Sequence, residues 1–171
     1  MRMAVLARSA LIGLVLATPG AAAAIDNEPG QVLGEATVID GETLLVGRWP
    51  VRLWGYDAPP KGLACRDDER YDCGREAVER LKHFAQGRQV RCEVKRRGTV
   101  NVGRCEALSI EMYNAHRVDR WSDLAFDLIE EGSGVERTSE SRGHYAEASA
   151  TAEVGKAGVW ASTTWRGDRP Q

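Results

Sequence analysis

Hydrophobic and polar residues alternate along Gln31–Ile39, with Val32, Gly34, Ala36 and Val38 on one face and Leu33, Glu35, Thr37 and Ile39 on the other. A period of two is the pattern of a half-buried strand. Asp40-Gly41 marks a tight turn, and Thr43–Val46 reads as the returning strand. Gly47 turns the chain again, and Val51–Tyr56 gives a third strand. Strands linked this closely form a meander, because a parallel crossover needs a much longer connection. Residues 58–71 are rich in Pro, Gly and charge and read as a loop. Ala77, Val78, Leu81, Phe84 and Ala85 then recur on one helical face until Gly87. Gln89–Arg104 reads as a second hairpin. Ser122 is the expected N-cap of a short helix that carries Leu124, Ala125, Leu128 and Ile129 and ends at Gly132. A last helix is expected over Ser141–Lys156, closed by Gly158, and the tail from Ser162 reads as unstructured.

The first residues add a different kind of segment. Arg2 and Arg8 supply positive charge, Ala10–Ala17 a short apolar core, and Ala22-Ala23-Ala24 a small-residue cleavage site, the three parts of a secretory signal. An apolar run of roughly ten residues, interrupted by Pro19 and Gly20, is too short to cross about 30 Å of hydrocarbon. The expected organisation is a signal peptide over 1–24, one domain over 25–161 and a tail over 162–171. The mature chain is expected to be secreted or periplasmic and to have no membrane span. The whole chain carries 23 Lys and Arg against 25 Asp and Glu, a formal charge of −2. Loss of residues 1–24 removes Arg2 and Arg8, leaving 21 against 25, or −4. An acidic balance argues against a broad phosphate-binding surface. Arg88, Arg91, Lys95, Arg96 and Arg97 form a local basic run, which reads either as a solvated strand face or as a phosphate track.

All four cysteines follow the signal, and export makes disulfides available to them. Zinc binding is disfavoured, since there is no C-x-x-C pair and His83, His116 and His144 lack ligand spacing. Four cysteines allow three connectivities. Cys92 and Cys105 lie symmetrically about Gly98-Thr99, so a two-residue turn there would set them opposite each other on antiparallel strands, within bridging reach. Cys65 and Cys73 would then close the loop ahead of the first helix, and this is the connectivity chosen.

Five segments occur in one order between residues 34 and 160: Val38-Ile39-Asp40-Gly41-Glu42-Thr43, Val51 through Pro59, Cys73-Gly74-Arg75-Glu76-Ala77, Asp123-Leu124-Ala125, and Tyr145 through Gly158-Val159-Trp160. In these motifs the chain resembles the staphylococcal-nuclease-like (thermonuclease) family. The resemblance implies a mainly β fold with α, a five-stranded OB-type barrel with about three packed helices. It also implies calcium-dependent hydrolysis of phosphodiesters in single-stranded DNA or RNA. In that chemistry the metal is Lewis acid and template, a glutamate is general base and two arginines neutralise the phosphate. Carried over residue by residue, it makes Arg52 the first catalytic arginine, with Glu42, Asp57, Ala58 and Asp40 around the calcium ion.

The sequence departs from that pattern at several of these positions. Glu42 stands where the family usually has aspartate, and Ala58 replaces a frequent threonine. The family's D-x-P-E reads here Asp57-Ala58-Pro59-Pro60, so the general base is replaced by Pro60; Asp67, Asp68 and Glu69 lie further along the same loop. Val100 falls at the expected place of the second arginine, in a hairpin about two residues short. Gly103-Arg104 copies the family's Gly-Arg pair four residues later, about 13 Å along a strand at about 3.3 Å per residue. Arg96 or Arg97 can compensate from the turn, unless the hairpin is purely structural. Ser109–Trp121 is an additional stretch with Tyr113, His116, Arg117, Arg120 and Trp121, read as a covering loop or as an aromatic and basic surface for a partner. Two expectations follow. One is an exported thermonuclease-like protein whose nuclease activity is weak or lost. The other is a non-catalytic binding or accessory module of the cell envelope, with an anionic polysaccharide or an envelope protein as partner. Some nuclease-like exported proteins are associated with exopolysaccharide (succinoglycan-type) biosynthesis.

Overall fold

The structure, a computed structural model, describes residues 30–64, 71–114, 116–161, 165 and 167. The expected signal segment, Cys65, the acidic run Asp67–Glu69 and most of the tail lie outside the described residues. Strands β1 (Gln31–Val38), β2 (Thr43–Val46) and β3 (Trp49–Leu53) form the expected antiparallel meander. The third strand is shorter than Val51–Tyr56. It breaks at Trp54-Gly55, where Gly55 adopts a φ of +71°, and resumes as the two-residue β4 (Tyr56–Asp57). Helix α1 (Cys73–Ala85) starts one turn earlier than its apolar face suggests, because the Asp72 carboxylate accepts from the Arg75 N–H at 3.0 Å and caps it.

Next come β5 (Gln89–Arg96), β6 (Asn101–Tyr113) and β7 (His116–Asp123). The sheet order is β3-β2-β1-β5-β6-β7, and a parallel pairing of β3 with β6 (Arg52 opposite Val102) closes the first five strands into a barrel. The fold is the OB-type barrel with β7 added outside the closure. Its interior is filled by the inward positions of the alternating strands, among them Val32, Ala36, Leu44, Val46, Val51, Leu53 and Val90. The β5–β6 register keeps the predicted symmetry from Val90–Ala107 through Cys92–Cys105 to Val94–Gly103. A bulge then shifts it to Arg96–Val102, so the connection is wider than a two-residue turn. Cys92 and Cys105 are disulfide-bonded, their Cα atoms 4.0 Å apart. Cys73 is also disulfide-bonded, while its expected partner Cys65 lies outside the described residues.

The stretch Ser109–Trp121 is not a covering loop. It is the outer half of the β6–β7 hairpin, paired continuously from Glu106–Asp123 to Tyr113–His116, and it carries exposed Ile110, Met112, Tyr113 and Val118. Helix α2 (Leu124–Glu130) is capped by Asp123, not by Ser122: the carboxylate accepts from both Ala125 N (3.0 Å) and Phe126 N (3.2 Å), while Ser122 hydrogen-bonds Asp127. Strand β8 (Val135–Glu136) pairs antiparallel with β4. The single helix expected over Ser141–Lys156 is instead two, α3 (Thr138–Ser141) and α4 (Ala146–Val154). Arg142, at φ 54°, and Gly143, at φ 87°, take left-handed conformations that no helix accommodates. The chain ends its described core in a 3-10 turn, Gly158–Ala161, where Val159 and Trp160 pack with Val135 and Ala152 and against Trp165 from the tail. Among the described residues no helix is long and apolar enough to cross a membrane.

Candidate functional site

The break in the third strand creates the site. At Gly55 the backbone N–H donates to Glu140 Oε2 (3.1 Å) and the carbonyl accepts from the Arg137 N–H (2.9 Å). A Cβ here would stand 2.8 Å from Ser141 Cβ and 2.9 Å from the Tyr145 ring, so glycine alone lets β8 and α3 approach the barrel this closely. The β4–β8 ladder, with Asp57 opposite Val135, then lays Arg137 beside Asp57.

Four of the site's side chains form two linked ion pairs. Arg52, from β3, donates to Glu140 Oε1 through Nη2 and to the Leu53 carbonyl through Nη1 (3.2 Å). Arg137 Nη2 donates to Asp57 Oδ1 at 2.5 Å and lies 3.3 Å from Glu42 Oε2, while its Nη1 is 4.0 Å from Glu140 Oε1. Arg96 Nη2, on the solvent side, is 3.8 Å from Glu140 Oε1. A Cβ at Gly167 would meet Asp57 Oδ2 at 2.6 Å, so the tail backbone covers the other carboxylate oxygen.

Burial pushes the Glu42 carboxyl above its ordinary value, more than the neighbouring Arg137 and Arg52 charges pull it down. For Glu140 burial acts the same way. There the Gly55 N–H, the Arg52 hydrogen bond and the arginine charges outweigh it and hold the group below its ordinary value. Burial opposes the Arg137 charge, yet the Asp57 hydrogen bond and the surrounding carboxylates raise its pKa. Two carboxylates of one cluster are thus driven in opposite directions.

The remaining expected residues are dispersed around this cluster. Asp40 shapes the turn, its Oδ1 accepting from Glu42 N at 2.9 Å. Ala58 lines a cavity of about 550 Å³ between that turn and α1, together with Ile39, Glu42, Pro60, Arg75 and Lys82. Arg104 lies at the α2 cap, its Nε 2.7 Å from Asp123 Oδ2, where the Tyr145 hydroxyl also donates at 3.2 Å. Arg97 sits in the exposed β5–β6 connection. Calcium takes about six to eight oxygens at about 2.3–2.6 Å. Here Glu42 and Asp57 converge on one guanidinium nitrogen, and among the described residues no three His, Cys, Asp or Glu side chains group as metal ligands. As placed, these carboxylates fit a guanidinium and not a divalent cation.

No family model matches the chain. The chain is 35% identical over 156 residues to the succinoglycan biosynthesis protein ExoI of Rhizobium meliloti (strain 1021), an alignment that covers 88% of this chain and 73% of that protein. The chain belongs to the ExoI family. In this ExoI-family chain, two residues central to the cluster, Arg137 and Glu140, carry no motif that marks them in the sequence. They lie 80 and 88 residues from their partners Asp57 and Arg52. The one local signal is their i,i+3 spacing just after Val135-Glu136, which faces two opposite charges the same way once α3 forms.

Proposed function

We propose that this protein is an exported, non-hydrolytic accessory module of exopolysaccharide (succinoglycan-type) biosynthesis. Its barrel is thermonuclease-like, and its phosphodiesterase chemistry is weak or lost. The similarity to a succinoglycan biosynthesis protein supports the biosynthetic part. The observation that carries the non-hydrolytic part is the Arg52–Glu140 ion pair. A phosphodiester needs the guanidinium of Arg52 free to meet its charge. Here a carboxylate already holds it, and Pro60 stands where the general base belongs. Each such loss in a preorganised site lowers rate by about a hundredfold or more. The ligand site in this reading is the cavity beside Glu42. Its apolar wall (Ile39, Ala58, Pro60) suits the C–H face of a sugar, and its mixed charged lining, Lys61, Arg75 and Lys82 beside Asp40, Glu42 and Glu79, suits hydroxyl groups.

The test is titration of the mature chain with acidic exopolysaccharide fragments and with single-stranded DNA, alongside a calcium-dependent nuclease assay. Saturable binding of the saccharide is expected, weakened at least tenfold by Val78→Trp, which fills the cavity. Turnover of single-stranded DNA that rises with calcium and disappears in Arg52→Ala overturns the reading. Pro60→Glu alone is not expected to restore turnover, since Arg52 stays paired.

A further inference from the structure

We propose that Arg137 is a resident cation: its guanidinium takes the position between Glu42 and Asp57 that a divalent metal would need, which makes the carboxylate pair metal-independent. One nitrogen, Nη2, lies within 2.5 Å of Asp57 Oδ1 and 3.3 Å of Glu42 Oε2. A bridging ion would have to sit within about 2.3–2.6 Å of the same two oxygens, and a nitrogen already 2.5 Å from one and 3.3 Å from the other occupies the space between them. The placement is anchored from the backbone. Arg137 N donates to Gly55 O at 2.9 Å, and the β4–β8 ladder fixes the residue just before it. The second oxygen of Asp57 faces Gly167, so this carboxylate has no open side on which to chelate an incoming ion.

Charge leads to the same assignment. Glu42, Asp57 and Glu140 are met by Arg52 and Arg137, and Arg96 approaches from solvent. A divalent ion added to that set would face two half-buried guanidinium groups at close range. Removal of the Arg137 charge alone leaves Glu42 and Asp57 facing each other, an acidic pair with an emptied space between them. That is the arrangement a hard cation neutralises.

The experiment is calcium titration by calorimetry, with the thermal midpoint as a second readout, on the wild-type chain, Arg137→Met and Arg137→Lys. Methionine keeps much of the arginine stem without its charge, and lysine keeps the charge. The wild type and Arg137→Lys are expected to show no saturable calcium binding up to millimolar concentration and no change in midpoint. Arg137→Met is expected to bind calcium, to gain several degrees in midpoint, and to lose both effects when Asp57→Asn is added. Saturable calcium binding by the wild type overturns the proposal and can be read whether or not any variant folds. A folded Arg137→Met that binds no calcium overturns it as well. The inference rests on the reading of this site as non-hydrolytic. The titration uses neither saccharide nor nucleic acid, so it can succeed or fail independently of the polymer proposed above.

Discussion

Glu140→Gln isolates the electrostatic part of the site, because glutamine keeps the shape and an acceptor oxygen but removes the charge. In the wild type Glu140 accepts from the Arg52 guanidinium and from the Gly55 N–H. Hydrogen bonds to a charged group contribute about 1.5–3 kcal/mol and neutral ones about 0.5–1.5. Two bonds each weakened by about 1 kcal/mol give a loss of about 2 kcal/mol at neutral pH. Screening reduces this little, since the Arg52 and Glu140 side chains are only 13% and 16% exposed. Arg96, 3.8 Å away and 68% exposed, adds next to nothing.

The effect has a pH signature that a merely steric role would lack. The folded-state pKa of Glu140 lies below its ordinary value of 4.5. Its contribution is therefore complete above 4.5 and is lost as pH falls through the lower folded value. Urea unfolding followed by tryptophan fluorescence should show wild type and Glu140→Gln about 2 kcal/mol apart at pH 7, and the gap should close as the medium becomes more acid than the folded value. All other titrating groups are common to both proteins and cancel in the difference. A gap that is the same at pH 7 and pH 3, or no gap at pH 7, refutes the reasoning.

Glu42→Gln has the opposite sign. The folded pKa of Glu42 is raised, so its contribution is present below 4.5 and is lost as pH rises through the folded value. The glutamine variant should therefore gain stability relative to wild type between pH 4.5 and pH 7 in the same unfolding assay. Asp123→Ala removes two N-cap bonds, worth about 1 kcal/mol, and leaves the hydroxyl of the buried Tyr145 without its acceptor, about 1–2 kcal/mol more. A loss of about 2–3 kcal/mol by urea unfolding is expected, and Asp123→Asn, which keeps the cap, should lose less than half of that. Replacing Cys92 and Cys105 together by alanine opens a loop with a sequence separation of 13 and should cost about 3 kcal/mol, read from the denaturation midpoint under oxidising conditions.

The barrel was legible because its rules are local or arithmetical. Period-two alternation in β1 puts Val32 and Ala36 inside without reference to any other segment. Antiparallel register turns one turn position into a whole ladder, which is why Cys92 and Cys105 could be paired from the chain alone, up to the bulge after Val94. The outer β6–β7 hairpin was not legible, since both of its faces are exposed and alternation has no core to point at. The break at Arg142-Gly143 was hidden by the alanine-rich run that follows it, Ala146–Ala152, which suits a helix in isolation. Two of the five residues of the ion cluster were equally hidden. Arg52, Asp57 and Glu42 stand in motifs, but Arg137 and Glu140 acquire meaning only when β8 pairs with β4.

The same pairing separates two tasks that a metal-dependent site would combine. With Glu42, Asp57 and Glu140 ionised, two half-buried arginines leave the cluster one negative charge in excess, and burial, with smaller contributions from Asp57 and Asp40, keeps the Glu42 pKa raised. An anionic ligand placed directly on the cluster would add to the imbalance and would also have to displace Glu140 from Arg52. A ligand in the neighbouring cavity does neither. It meets Lys82 and Arg75 on α1 together with Asp40 and Glu79, and touches the cluster through Glu42. In this arrangement the arginine–carboxylate cluster locks β8 and α3 onto the barrel, and the cavity beside it is the site proposed above for recognition. Substitutions in the cluster should therefore change stability and its pH dependence first, whereas substitutions on the cavity wall should change binding at nearly constant stability.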